Sequence, residues 1–126
     1  MNTITVNWYR LYSEGWGDDI VPDAYSHPAK YARGLIRHIY RYALERGYLQ
    51  TGDHVVDPFG GVALGSLDAM LSGLHWTGCE LEEKFVALGN ANLELWRGRY
   101  APHFPAWGSA RLVQGDSRQL CRVVGE

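Results

Sequence analysis

An α/β fold built on a mostly parallel sheet is the class this 126-residue sequence predicts. Three observations lead there. Short apolar or β-branched runs alternate with longer runs of helical periodicity, which sets parallel strands side by side with helices as crossovers. Fifteen glycines sit at element ends rather than in a low-complexity tract. Three carboxylates, Asp57, Glu80 and Asp116, fall at or just past the ends of the strand runs, where sheets of this kind bind their ligands.

Residues 1–25 are aromatic and irregular, with Trp8, Tyr9, Tyr12, Trp16 and Tyr25 set among Gly15, Gly17 and Pro22. They read as a lead-in segment that packs its rings onto the domain formed by 26–126. Pro28 suits a first helical turn, and Tyr31, Leu35, Ile36, Ile39, Tyr40, Ala43 and Leu44 recur at helical spacing until Gly47 stops the run. Arg33, Arg37 and Arg41 lie at i, i+4 and i+8 of that helix; they read as a solvated face, with a phosphate-contacting stripe as the alternative. Thr51-Gly52-Asp53 makes a turn, and His54 to Asp57 a short buried strand. Leu64, Leu67, Met70 and Leu71 mark a second helix ending near Ser72-Gly73, and His75 to Glu80 a second strand. Phe85, Leu88, Asn92, Leu95 and Trp96 place a third helix from about Glu82 to Arg97. Gly98, Pro102, Pro105 and Gly108 make 98–109 a long loop. Arg111 to Gln114 is a third strand, and Ser117 caps a fourth helix.

Composition narrows the function. Hydrophobic residues at 46% and charged residues at 21% are those of a soluble globular protein. A net charge of −2 gives no general pull toward nucleic acid, so such binding needs a local patch or a further part. Cys79 and Cys121 have no metal-ligand spacing and read as reduced thiols, and the five histidines show none either, so no metal site is expected. No signal-peptide pattern and no run approaching the ~18 apolar residues of a membrane span occur. A cytoplasmic protein with no membrane partner is the expectation.

The densest chemistry lies in Val55-Val56-Asp57-Pro58-Phe59-Gly60-Gly61-Val62-Ala63-Leu64-Gly65. A strand delivers an acid to the floor of a pocket, and glycines then allow a ligand close to the backbone. An acid between Val56 and Pro58 is costly to bury without a partner, which favours a functional Asp57. Glu80 stands 20 residues beyond Gly60, the offset at which an acid accepts from ribose hydroxyls. It reads equally as a neighbour of a helix cap. Asp116, in Gln114-Gly115-Asp116-Ser117-Arg118, reads either as a helix cap or as an acceptor for an adenine amino group. The acids together discriminate between ligands. A dinucleotide would bring two phosphate charges against Asp57, and G-x-G-x-x-G is absent. S-adenosylmethionine carries a sulfonium and an ammonium and no phosphate, so electrostatics favours it over NAD or ATP.

These residues resemble a known family. Asp57-Pro58-Phe59-Gly60-Gly61 followed by Gly65 is similar to motif I of the DNA amino-methyltransferases, whose common form is Asp-Pro-Phe-x-Gly-x-Gly-Thr. Ser26-His27-Pro28-Ala29-Lys30-Tyr31 resembles their motif X, Trp76-Thr77-Gly78-Cys79-Glu80-Leu81 their motif II, and Gln114 to Arg118 their motif III. The resemblance spans residues 24–120 and departs at Val62-Ala63-Leu64, where the common form has a Gly–Thr pair. It implies a Rossmann-like S-adenosylmethionine-dependent methyltransferase fold, incomplete at its C-terminus, acting on adenine N6 or cytosine N4. It places Asp57, Pro58, Phe59, Gly60, Gly61 and Gly65 at the methionine and sulfonium end. His27, Pro28 and Lys30 would close over the methionine carboxylate, Glu80 and Leu81 would hold the ribose side, and Asp116 and Ser117 would lie near the adenine.

The family's catalytic Asp/Asn/Ser-Pro-Pro-Tyr/Phe motif stacks on and holds a flipped base. No Pro-Pro pair occurs here, so no catalytic residue is assigned and the chain reads as the cofactor-binding part, cut before its chemistry and expected to be inactive alone. DNA contacts would then belong mostly to other parts. An RNA or small-molecule methyltransferase is one alternative; a non-catalytic cofactor-binding remnant or partner subunit is another. In such a fold the strand at Val55-Val56 would show an unpaired edge, open to self-association or to a partner chain.

Overall fold

Three β-branched or apolar runs become the three strands of one sheet in the computed structural model, which describes residues 15–26 and 32–125. The chain is mixed α/β. Helix α1 spans Arg33–Glu45, followed by β1 at His54–Asp57, α2 at Ser66–Leu71, β2 at His75–Glu80, α3 at Glu83–Tyr100, β3 at Ser109–Gln114 and α4 at Leu120–Val124. Strand order is β1-β2-β3, all parallel. Register aligns Val55 with Trp76 and Trp76 with Ala110, and Asp57 with Gly78 and Gly78 with Leu112. No described helix is long and apolar enough to cross a membrane.

Because side chains alternate along a strand, Val55, Trp76, Ala110 and Leu112 share one face, with Trp76 and Leu112 buried in the core. That core adds Leu67 and Met70 from α2, Phe85, Leu93 and Trp96 from α3, and Tyr40 from α1. The opposite face carries His54, Val56, His75, Thr77, Ser109 and Arg111 and is largely uncovered by the described residues, with Val56 at 48% exposure. Helix α4 covers only its upper corner, where Val123 packs on Gly115 and Cys79 is buried. The expectation of a buried first strand is therefore corrected, since among the described residues β1 is covered on one face alone, while its place at the edge of the sheet agrees with the unpaired edge expected at Val55-Val56.

Several boundaries move for identifiable reasons. Ala32 is extended, with ψ 138°, so α1 begins at Arg33 rather than just after Pro28. Leu64 lies in the turn before α2, whose N-cap is Gly65. Helix α3 continues through Gly98 to Tyr100, three residues beyond the expected end, and a 3₁₀ turn at Ala101–His103 takes up part of the expected loop. The last helix is entered through a 3₁₀ turn capped by Asp116, which accepts from the Arg118 N–H, so Ser117 is not the cap.

The lead-in segment is tied down wherever it is described. Trp16 is buried with its ring centroid 6.2 Å from that of Trp96, and Trp96 Nε1 donates to the Asp19 carbonyl at 2.6 Å. Arg33 is not on a solvated face: it pairs with Asp19 at 2.8 Å and with Asp68 at 3.3 Å, and Arg37 approaches Asp68 at 3.6 Å. Neither reading of the arginine stripe holds for Arg33, because the helix turns that position inward onto two acids. Trp8, Tyr9 and Tyr12 lie outside the described residues.

Candidate cofactor site

The carboxyl ends of the strands converge on a cavity of about 150 Å³. Pro58 and Phe59 line it from the turn after β1, Cys79, Glu80 and Leu81 from the end of β2, and Gly115, Asp116 and Ser117 from the end of β3. Six residues singled out from the sequence thus share one hollow, although three separate turns supply them. Phe59 and Leu81 are 73% and 64% exposed, unusual for large apolar groups and suited to packing against a flat ring. The volume has room for one heterocycle rather than for a whole nucleoside. His27, Pro28 and Lys30 lie outside the described residues.

The turn after β1 owes its shape to different small residues for different reasons. The Gly60 N–H donates to the Cys79 carbonyl at 2.7 Å, and a Cβ at Gly60 would come within 2.7 Å of Leu112 and 3.3 Å of the Cys79 backbone. The close approach that glycine permits here is to the sheet. Gly61, at φ +57°, takes the left-handed conformation natural to glycine. Ala63 takes it too, at φ +69°, the one non-glycine among the described residues with a positive φ. A buried alanine in that region stores strain.

The acids differ in their surroundings. Asp57 is half-buried; burial pushes its carboxyl above the usual range, only partly offset by the Phe59 N–H that Oδ1 accepts at 2.9 Å. No basic side chain contributes to that balance, so Asp57 is an acid without a countercharge among the described residues. Glu80 accepts the Glu82 N–H at 3.1 Å, at the start of α3. Asp116 is held by the Arg118 side chain, with Nε 3.0 Å from both carboxylate oxygens, and by its N–H at 2.9 Å. These contacts lower its pKa to about 2. The cap reading of Asp116 is therefore realised in this structure, and an adenine amino group would have to displace the exposed Arg118 side chain. Burial, then the charges of Asp116 and Glu80, push the Cys79 thiol up; it stays protonated and is no nucleophile.

Sequence reasoning missed Cys79 and Gly115 as lining residues, and Tyr40 and Trp76 as polar neighbours of the turn. Tyr40 donates to the Gly65 carbonyl at 2.5 Å, yet its helical spacing marks it only as core. A larger hollow of about 510 Å³ lies over the uncovered face, lined by His54, Val56, His75, Thr77, Ser109 and Arg111 among others. It is an open face rather than a walled site and contains none of the sequence-selected residues, so the smaller cavity is the better candidate. No family model matches the chain, and no curated protein matches it.

Proposed function

We propose that the chain binds S-adenosylmethionine at the carboxyl end of its sheet. It would do so as the cofactor-binding part of a Rossmann-like methyltransferase that acts on an exocyclic amine of adenine or cytosine in DNA. The observation that carries this reading is the gathering of Phe59, Glu80, Leu81 and Asp116 around one cavity at the strand ends, with Asp57 outside its lining and directly before Pro58, which does line it. A lining of apolar groups and acids with no basic side chain in it, Arg118 being held by Asp116 at its rim, suits a cationic, phosphate-free nucleoside. The left-handed Ala63 adds support, since it falls where the amino-methyltransferase motif has its second glycine.

Bound S-adenosylmethionine supplies a methyl group on a sulfonium, a leaving group that needs no activation. The chain's contribution is to bind and orient. Asp57 would pair with a positive group of the methionine end, relieving a buried, unpaired carboxylate. Phe59 would pack toward the methionine and sulfonium end and Leu81 on the ribose side, and Glu80 would accept from the ribose hydroxyls once its local bond to Glu82 rearranges. No residue is assigned to the acceptor amine.

Calorimetric titration of the chain with S-adenosylmethionine, in competition with NAD, tests this. We expect binding that NAD does not displace. Affinity should rise with pH through the raised Asp57 pKa, because only the ionised carboxylate attracts the ammonium. Asp57→Asn should weaken binding about 10-fold or more and flatten the pH dependence. Tight NAD binding with no competition from S-adenosylmethionine would overturn the proposal.

A further inference from the structure

Trp76 is the second residue of β2, and its side chain is only 1% exposed. Its indole lies along the strand over Gly78, where a Cβ would fall 2.1 Å from the ring. Nε1 is a buried side-chain polar atom with no hydrogen-bond partner, and no other such atom is found among the described residues. A buried N–H in that condition has lost its hydration without a replacement, which is unfavourable.

The surroundings of this N–H are polar. A Cβ built on Gly65 would stand 3.5 Å from Trp76 Nε1, 3.5 Å from Asp57 Oδ2 and 3.7 Å from the Tyr40 hydroxyl oxygen. Gly65 has φ −73° and ψ −9°, a conformation open to every residue. Its backbone therefore does not require glycine; what glycine provides is space. Asp57 Oδ1 is occupied by the Phe59 N–H, so Oδ2 is the oxygen on this side. The Tyr40 hydroxyl donates to the Gly65 carbonyl, and its oxygen stands beside the same space.

We propose that the space beside Gly65 holds one water, which accepts from Trp76 Nε1 and donates to Asp57 Oδ2, making Trp76 the positioning residue for that carboxylate. The water's second hydrogen points to the Tyr40 oxygen, so one donor and two acceptors match its capacity. A metal ion or an ammonium at this point would face the positive end of the indole N–H, which can only donate, so a hydrogen-bond acceptor is what the site takes. The Asp57 carboxyl accepts the Phe59 N–H of its own turn, and its Oδ2 shares the surroundings of Gly65 with the Tyr40 hydroxyl of α1 and the Trp76 indole of β2; no charged side chain contributes to its titration. The hydrogen-bonded unit stands on this geometry alone. Its role in presenting Asp57 to a cofactor rests on the proposed binding of S-adenosylmethionine.

Nuclear magnetic resonance on the ligand-free 126-residue chain tests the unit without any cofactor. The ¹³C carboxyl signal of Asp57, assigned through Asp57→Asn, gives its titration midpoint, and the ¹H–¹⁵N indole signal of Trp76 is followed over the same pH range. We expect the indole signal to shift in step with Asp57. Trp76→Phe, which keeps a ring but removes the N–H, should raise the midpoint by about half a pH unit or more, because the charged form loses a water-relayed donor. Gly65→Ala should do the same with the indole in place, since its methyl occupies the water's space; it carries the test if Trp76→Phe does not fold. An indole signal indifferent to Asp57, with midpoints unchanged in the folded variants, would overturn the inference. An intact unit in a protein that fails to bind S-adenosylmethionine would count against the proposed function and leave the unit standing.

Discussion

A single backbone angle bears on the reading of the turn after β1. Ala63 is fully buried at φ +69°, and an L-residue pays about 1–2 kcal/mol in the left-handed region. Ala63→Gly relieves that strain but gives up a buried methyl worth about 0.8 kcal/mol and adds unfolded-state freedom. These effects nearly cancel, so the variant should stay within about 1 kcal/mol of the parent by chemical denaturation. Ala63→Val puts a β-branched side chain into the same conformation with no room around it, and should cost about 2 kcal/mol or more. Equal stability of Ala63→Val and the parent would remove strain from the account of this turn. In the sequence the position is visible only as a missing glycine. Its left-handed geometry follows from the neighbouring contacts of Gly60 and Gly61, which no pattern of residue types reveals.

Among elements, the polar clasp between the lead-in segment, α1, α2 and α3 has the largest predicted energetic effect. Asp19 takes hydrogen bonds from Tyr100 at 2.6 Å and Arg99 at 2.7 Å and an ion pair from Arg33. Arg33 in turn meets Asp68, whose side chain is 8% exposed. Removing one partner leaves a poorly compensated buried charge, so Asp68→Asn should cost about 3 kcal/mol and lower Tm by about 10 °C. The Arg97–Glu94 pair, about two-thirds exposed on both sides, should change stability by less than about 0.5 kcal/mol when Glu94→Gln breaks it. Comparable losses in the two variants would contradict the clasp. Burial raises the Asp19 carboxyl, but the Tyr100 and Arg99 hydrogen bonds and the Arg33 charge outweigh it and hold the pKa below its ordinary value. Its stabilising contribution is therefore present above the unfolded-state pKa and is lost as pH falls through the lowered one. The elements themselves were legible: β1 and β2 fall on the residues their apolar runs mark, and the helices on their apolar periodicities. The clasp was not, because Arg33 and Arg37 follow a solvated-face spacing, and their partners Asp19 and Asp68 lie in other elements.

At the scale of the whole molecule, the described residues cover the sheet unevenly. Helices α2 and α3 cover one face of a three-stranded parallel sheet, whereas among the described residues the face bearing His54, Val56, His75 and Arg111 is largely open and β1 lies at the sheet edge. Parallel sheets are ordinarily covered on both faces, and an open edge invites pairing. The 126-residue chain should therefore associate as its concentration rises, seen as an increasing sedimentation-average mass. A constant monomer mass together with a cooperative melt above about 60 °C, high for a mesophile domain, would contradict that expectation. Glu80 and Asp116 of the small cavity were legible because acids at strand ends are a local signal, whereas Pro58, Phe59, Leu81 and Ser117 entered with the resemblance to the amino-methyltransferase motifs. The third dimension supplied the rest: Gly60 seated on Cys79, Arg118 folded back on Asp116, and Trp76 and Tyr40 brought beside Asp57. The measurement that bears most directly on the central claim is amide chemical-shift mapping of the chain on addition of S-adenosylmethionine. The account predicts saturable shifts confined to the turns at Phe59–Gly61, Glu80–Leu81 and Asp116–Ser117. Shifts centred instead on His75, Thr77 and Arg111 of the open face, or none at millimolar ligand, would contradict it.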